Sequence, residues 1–335
     1  MPAPGLDAAL LADIGGTNAR FALADVHAAM PLRDDSIRDY RVRDFDSLAA
    51  AAQRYLADVG VQVSAAYFAV AGRVDGDSVR MTNHHWHVSL SATQAELKLD
   101  TLRVMNDFYA LAMGVPLLTS QHLIAIGGAD TSASSRRDRV WGVLGPGTGL
   151  GWAALMQFGE HYHVLETEGG HIGFAPRSAQ EAALLAQLHK HFPRVSNERL
   201  VCGVGLRNIH QALAEIAAES AAELTPEQIT ARAADGSDPL CVQTLETFVR
   251  VFGAVAGDAV LGFGAWDGVY LAGGLVPHLL PWLQGPAFRE RFEDKGRFQE
   301  SMRKVPTHAI VHPQPGLLGA AAVAQREAAL TWGAP

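Results

Sequence analysis

Several short stretches of this chain carry residues suited to chemistry on phosphates and hydroxyls. In Ala12-Asp13-Ile14-Gly15-Gly16-Thr17, two adjacent glycines follow a lone carboxylate. Main-chain N–H groups left uncovered by side chains can converge on an anion such as phosphate, and Asp13 then has a partner in a metal ion carried by that phosphate. The same residues also read as a plain hairpin turn with the glycines at positive φ. A second glycine turn, Gly145-Pro146-Gly147-Thr148-Gly149, repeats the pattern, and a third pair, Gly273-Gly274, ends an apolar run. There a backbone can come close to adenosine or a phosphate. Neither turn is a common phosphate fingerprint: the Lys-Ser/Thr ending of a Walker A loop is missing, and glycines at 145, 147, 149 and 151 do not fit G-x-G-x-x-G. A Rossmann dehydrogenase is thereby disfavoured.

The candidate acids and bases are fewer. Asn106 and Asp107 stand where a short strand gives way to a helical run, which reads as a helix cap. A carboxylate at a strand end can also take the proton of a hydroxyl whose oxygen attacks phosphorus. Glu168-Gly169-Gly170-His171 reads as a turn. Its carboxylate can accept from two neighbouring hydroxyls and its imidazole can donate or accept. An isolated E-x-x-H lacks the second helical histidine of a zinc protease. Glu198 follows Ser196 at the start of a helical segment, where the dipole favours an acid. His85 and His87 share a strand face, but no nearby carboxylate completes a metal-ligand set.

These residues need a scaffold of strands with helices between them. The first turn joins apolar strands over 8–14 and 19–24, and the second joins strands over 140–145 and 150–155. Two such hairpins suggest a duplicated nucleotide-binding architecture. Further strands are expected over 36–45, 67–71, 79–88, 101–105, 161–166 and 307–311, and a serine-capped helix over 47–58. Thr225-Pro226-Glu227-Gln228 carries a capping box. The run 239–261 has the apolar spacing of a core helix, with Gly253 and Gly257 permitting a close neighbour. Residues 128–139 and 292–298 read as exposed, and 316–330 as an alanine-rich helix.

With 335 residues, 48% of them hydrophobic, the chain can bury more than one core. A net charge of −8, with no basic cluster denser than Arg136-Arg137 and Arg139, argues against a nucleic-acid surface. No positive residue precedes the first apolar stretch and no run is long enough to span a bilayer, so a soluble, cytoplasmic protein without membrane contact is expected. Cys202 and Cys241 lie far apart and outside any C-x-x-C, which reads as reduced thiols.

Segments 12–20, 82–86, 106–108, 145–151, 168–171, 271–277 and 315–319 stand in the order and spacing of bacterial glucokinases, and the chain resembles that family from residue 10 to about 330. The resemblance implies an α/β, two-lobed fold of the actin-like, hexokinase-type (ribonuclease H-like) ATPases with an interdomain cleft. The lobes would be 1–117 plus 312–335, and 118–311. It implies ATP-dependent phosphorylation of glucose at the 6-hydroxyl, with Asp107 as general base and Asn83, Asn106, Asp107, Glu168, His171 and Glu198 at the sugar. Ala12, Asp13, Ile14, Gly15, Gly16, Thr17, Gly145, Gly147, Thr148, Gly149, Gly273 and Gly274 would surround ATP, with Asp13 reaching Mg2+ through water. A homodimer is usual in the family. The cysteine cluster of the zinc-containing branch is missing, Thr167 stands where many relatives have glycine, and Gly173 where many have an acid. Both departures flank the sugar residues and leave open a hexose kinase of other or broader specificity, acting on mannose or glucosamine. A non-catalytic sugar-sensing regulator would need a helix-turn-helix extension. A chaperone-like ATPase would have no use for Asn106, Asp107, Glu168 and His171.

Overall fold

The computed structural model describes residues 8–81, 86–129, 138–220 and 222–332. Asn83, His84 and His85, the Arg136-Arg137 pair and most of the loop expected over 128–139 lie outside the described residues. The chain divides into two compact units, Met1–Thr119 with His312–Pro335, and Ser120–Val311.

The first unit begins with β1 (Ala8–Ile14) and β2 (Asn18–Asp25), an antiparallel hairpin in which Ile14 faces Ala19. Neither Gly15 nor Gly16 takes positive φ, contrary to the expectation for a tight bend. The connection between Ile14 and Ala19 is long enough to do without the mirror-image turn of a two-residue hairpin, and Gly15 N–H donates to Asn18 O at 3.0 Å. β3 (Leu32–Arg41) starts and ends earlier than the expected 36–45. Its inward positions are Leu32 and Ser36, the latter accepting from Leu23 N–H at 2.8 Å, so this edge strand has little hydrophobic alternation to read.

Next come α1 (Leu48–Val59), where Ser47 accepts from Ala50 N–H as the cap pattern requires, and the buried β4 (Ala65–Val70). The strand expected over 79–88 is interrupted: β5 (Gly72–Asp75) and β6 (Ser78–Met81) form a hairpin, and β7 (Val88–Ser89) pairs with β6 after the break. Trp86 is packed, its indole N–H donating to Phe45 O at 2.8 Å. After α2 (Leu90–Leu97), β8 (Thr101–Asn106) runs straight into α3 (Asp107–Gly114). The main sheet has the order β3-β2-β1-β4-β8, and β1, β4 and β8 are parallel.

The second unit contains β9 (Leu123–Gly127), β10 (Asp138–Pro146), β11 (Leu150–Phe158), β12 (His161–Thr167), α4 (Ala179–Leu188), α5 (Gly203–Ile216), α6 (Pro226–Ala234), α7 (Pro239–Phe263), β13 (Val269–Leu271), α8 (Val276–Leu283), α9 (Pro286–Glu293), α10 (Gln299–Lys304) and β14 (Thr307–Ile310). Its sheet order is β12-β11-β10-β13-β14-β9. The first five strands of that order repeat the first unit: a three-strand antiparallel meander whose first strand is followed across the sheet by two successive parallel strands. The duplication implied by two glycine hairpins is thus built into the topology.

α7 is long and apolar enough to cross a membrane, but 67% of its most apolar window is buried within the unit, as a core helix requires. Gly253 and Gly257 admit α9, for a Cβ at either would strike the carbonyl of Phe288 or Phe292. The segment 292–298, expected to be an exposed loop or helix end, spans the end of α9 and is exposed over Gly296, Arg297 and Phe298, but not before them. Phe292 is buried, and Lys295 is drawn inward by Asp258 at 2.6 Å and the carbonyl of Ala254 at 2.9 Å. The chain then returns to the first unit as α11 (Pro315–Trp332), which packs on α3, β1 and β4.

Candidate active site

In the first unit, parallel pairing places the C-terminal ends of β1, β4 and β8 along one edge of the sheet, the usual ligand-binding edge of such sheets. Ile14, Val70 and Asn106 stand in one row, so Asp13 lies just before that row and Asp107 just after it. With β4 between them, the two backbones are separated by about 10 Å. Ala12 and Ile14 bury their side chains in the core, leaving only backbone to a ligand, whereas Gly16 and Thr17 are exposed.

Asp13 is held well above the usual carboxylate range by burial, which outweighs the pull of Arg20. Arg20 faces it across the hairpin but donates to Asp39 at 2.7 Å. The first turn of α11 lies directly against Asp13: a Cβ on Gly316 would come within 2.6 Å of its Oδ2. Segment 315–319 was legible as a motif, but this contact joins residues from opposite ends of the chain and no local pattern announces it.

Asp107 opens α3. Its carboxyl is pushed up to about 7 by burial first and by the charge of Asp13 second, against the lowering effect of the Phe108 N–H, which reaches its Oδ1 at 3.0 Å. A carboxylate titrating there is matched to accepting a proton at neutral pH. For Asn106 the helix-cap reading holds: Oδ1 accepts from Phe108 N–H at 2.8 Å and Tyr109 N–H at 3.4 Å. Its Nδ2 donates to Gly72 O at 3.1 Å.

In the second unit, the two glycine features that are far apart in sequence become neighbours. β10 and β13 are parallel, Ala272 N–H donates to Leu144 O at 2.7 Å, and Leu275 N–H donates to Pro146 O at 3.2 Å. Gly145 abuts the carbonyl of Ala272 so closely that no side chain fits, and Gly273, at φ +92°, lies against Pro146. Gly147 and Gly274 have open space where a Cβ would stand. The first pair closes the backbones together; the second leaves room for a ligand.

Glu168 precedes a 3-10 turn, Gly169–His171, and Glu198 lies within another, Asn197–Arg199, rather than at the start of a longer helix. The two turns are tied by Asn197 N–H donating to Ile172 O at 2.8 Å. His171 Nε2 lies 3.9 Å from Glu168 Oε2, and His171 Nδ1 lies 4.0 Å from Glu198 Oε1. The Glu168 and His171 side chains are 78% and 57% exposed, and Glu198 is 32% exposed. Exposed polar groups at this spacing offer several donors and acceptors to a polyhydroxyl ligand. The hydroxyl of Thr167 is used internally, donating to Trp152 O at 2.8 Å and accepting from Gly169 N–H at 3.2 Å. Gly173 pairs with Ser196 and faces open space. A cavity of about 430 Å³ opens beside Glu168, lined mostly by apolar residues such as Trp152, Phe174, Val251, Val255 and Phe263, with Thr167, Glu168, Asn197 and Asp258 as its polar members.

Among the described residues, one group of His, Cys and Asp side chains comes within ligand distance: His210, Asp238 and Cys241, with ligand atoms within 4.8 Å of one another. Asp238 is engaged as the cap of α7, accepting from Leu240 and Cys241 N–H, and faces Arg232 at 3.7 Å. Burial and Asp238 push the Cys241 thiol up to about 11. A protonated thiol beside a capping acid fits the reading of both cysteines as free thiols.

The glucokinase family model matches residues 10–327. A glucokinase of Xanthomonas euvesicatoria pv. vesicatoria (strain 85-10) is 54% identical over 316 residues, covering 94% of each chain. Among solved structures, a glucokinase from an Antarctic psychrotroph superposes with a TM-score of 0.84 at 35% identity, covering 95% of this chain and 98% of that one. A ROK-family glucokinase from Streptomyces griseus, solved with glucose and AMPPNP, matches at a TM-score of 0.63 and 20% identity over 95% of this chain and 99% of that one, which shows a common fold. The shared architecture is the two-lobed, actin-like α/β fold of sugar kinases, and the chain belongs to the glucokinase family.

Proposed function

We propose that this protein transfers a phosphoryl group from ATP to the 6-hydroxyl of D-glucose, with Asp107 as the base. The observation that carries this role is the carboxyl of Asp107, placed at the end of β8 and held up to about 7. A base with that affinity for protons accepts the hydroxyl proton as the oxygen attacks phosphorus. Asn106, Glu168, His171 and Glu198 are assigned to the sugar, whose hydroxyls both donate and accept. Asn83 keeps the role the family resemblance gives it.

The backbone of Ala12–Thr17 and of Gly145, Gly147, Thr148 and Gly149 is assigned to the phosphates, and Gly273-Gly274 to the adenosine side. The open space at Gly147 and Gly274 fits such a ligand. Asp13 fits magnesium held through water: its opposing arginine is engaged by Asp39, and a nearby hard cation would favour the charged form that burial disfavours. Bound Mg-ATP supplies the phosphoryl group with its charge neutralised; the protein contributes positioning and a base. A homodimer is proposed on the family resemblance, and a cytoplasmic location on the sequence reading alone.

The test is ADP release from Mg-ATP against glucose, mannose, fructose, glucosamine, N-acetylglucosamine and no sugar. Glucose-dependent turnover well above the rest is expected. Comparable turnover with mannose or glucosamine indicates a broader hexose kinase, and turnover without sugar overturns the reading.

A further inference from the structure

Leu150, the first residue of β11, is a meeting point in the second unit. Its N–H donates to Glu198 Oε2 at 3.0 Å. Its carbonyl occupies the place a Cβ on Gly170 would take, so the turn bearing His171 rests on it. Gly149, immediately before it, lies directly against the Glu198 carboxyl, which a side chain at 149 would have to displace. The remaining oxygen, Glu198 Oε1, faces His171 Nδ1 at 4.0 Å. One carboxylate therefore has one oxygen on the glycine turn and the other on the residues assigned to the sugar.

The surroundings keep it there. Asn197 N–H bonds Ile172 O at 2.8 Å, and Gly203 N–H, at the start of α5, bonds Gly147 O at 2.9 Å, holding the glycine turn from its far side. Within the turn, Gly147 N–H bonds Gly149 O at 2.8 Å. Glu168 differs: it faces His171 at 3.9 Å and makes no hydrogen bond to the turn.

We propose that Glu198 is a positioning residue for the nucleotide as well as a sugar ligand, anchoring the Gly147–Gly149 turn through Oε2 and thereby coupling the two substrates. This rests on the kinase reading above. A sugar hydroxyl donating to Oε1 fixes the carboxylate, the fixed carboxylate holds Leu150 N–H, and the turn is ordered before phosphate arrives. By linkage, the nucleotide must then tighten sugar by the same factor that sugar tightens the nucleotide.

The decisive measurement is calorimetric binding of a non-hydrolysable ATP analogue with magnesium, with and without glucose, to the wild type, Glu198→Ala and Glu168→Ala. In sugar-free protein, Glu198→Ala is expected to weaken nucleotide binding by about tenfold, the scale of one lost charge-assisted hydrogen bond, and to abolish the effect of glucose on nucleotide affinity. Glu168→Ala should stay within about twofold in sugar-free protein, although both variants lose sugar affinity. Glu198→Gln keeps an acceptor for Leu150 N–H, so its sugar-free nucleotide affinity should remain near wild type even if Glu198→Ala folds poorly by circular dichroism. Equal behaviour of Glu198→Ala and Glu168→Ala toward the nucleotide, or a tenfold loss in Glu198→Gln, overturns the proposal while leaving the kinase reading standing. A wild type that binds no nucleotide overturns both.

Discussion

Asp13 and Asp107 in the first unit are enclosed at the ends of parallel strands, and both carboxyls are raised by burial. In the second unit, Glu168 and His171 stand on a 3-10 turn with most of each side chain in solvent. One unit encloses its carboxyls where water is scarce, which disfavours their charged forms and raises their affinity for protons, as the proposed base would need near neutrality. The other leaves its polar groups wet, to be satisfied by a ligand that brings its own hydroxyls. Glu198 stands between these extremes, one third exposed and half engaged with backbone. The contrast separates chemistry from recognition on physical grounds, before any role is assigned.

The largest expected effect tests the enclosed side. Asp107→Asn should lower kcat by roughly 10³-fold or more, with little change in the KM for glucose. The same variant should be more stable than wild type at pH 8. The folded-state value of about 7 lies above the ordinary carboxylate value, so the folded protein binds this proton more tightly than the unfolded chain does. The resulting stabilisation is full below the ordinary value and is lost as pH rises through about 7. At pH 8 the charged carboxylate is a net cost that asparagine removes, on the order of 2 kcal/mol once solvent screening is allowed for, readable as a higher Tm. In the wild type, kcat/KM should fall with acid below about pH 7 as the base becomes protonated. An asparagine variant that is both active and less stable would erase the contrast between the units.

The fold was legible where local chemistry dictates local structure. Ser47 and Thr225 are N-caps, the Thr225 capping box is complete, and the glycine turns join the expected strands. What sequence could not give is distance. Gly316 against Asp13, Glu198 on Leu150, and Gly145 against Ala272 join residues far apart in the chain, each fixed by how strands and helices stack. Conformation within turns was also hidden: two adjacent glycines at a bend suggested positive φ, yet the need at Gly273 is for left-handed backbone and at Gly145 for close approach. Charge misled once, at Lys295, because a lysine flanked by acids reads as surface while its ammonium group bonds the part-buried carbonyl of Ala254 on α7.

A smaller effect tests the wet side of the comparison. Glu168→Gln keeps one acceptor and adds a donor at a largely exposed position, so it should raise the KM for glucose by about tenfold, the scale of a hydrogen bond to a charged group, with kcat and the acid limb near pH 7 unchanged. A shifted acid limb would mean that Glu168 influences the base, and recognition and chemistry would no longer divide as described.

The smallest effect sharpens the comparison most. Thr167 flanks Glu168 and departs from the family pattern, which makes it the natural suspect for altered sugar preference. Its hydroxyl, however, is taken up by Trp152 O and Gly169 N–H, within the backbone that carries the turn. Thr167→Val keeps the shape and removes both bonds, leaving the Gly169 N–H without its acceptor, a change of about 1 kcal/mol. Part of that should appear as a two- to fivefold rise in the KM for glucose, by about the same factor for mannose, because a loosened turn presents Glu168 and His171 less often in the right place whichever sugar arrives. Measuring both KM values on one preparation is sufficient. An unchanged glucose-to-mannose ratio makes Thr167 a support for the turn, whereas a changed ratio places its hydroxyl among the groups that discriminate between sugars.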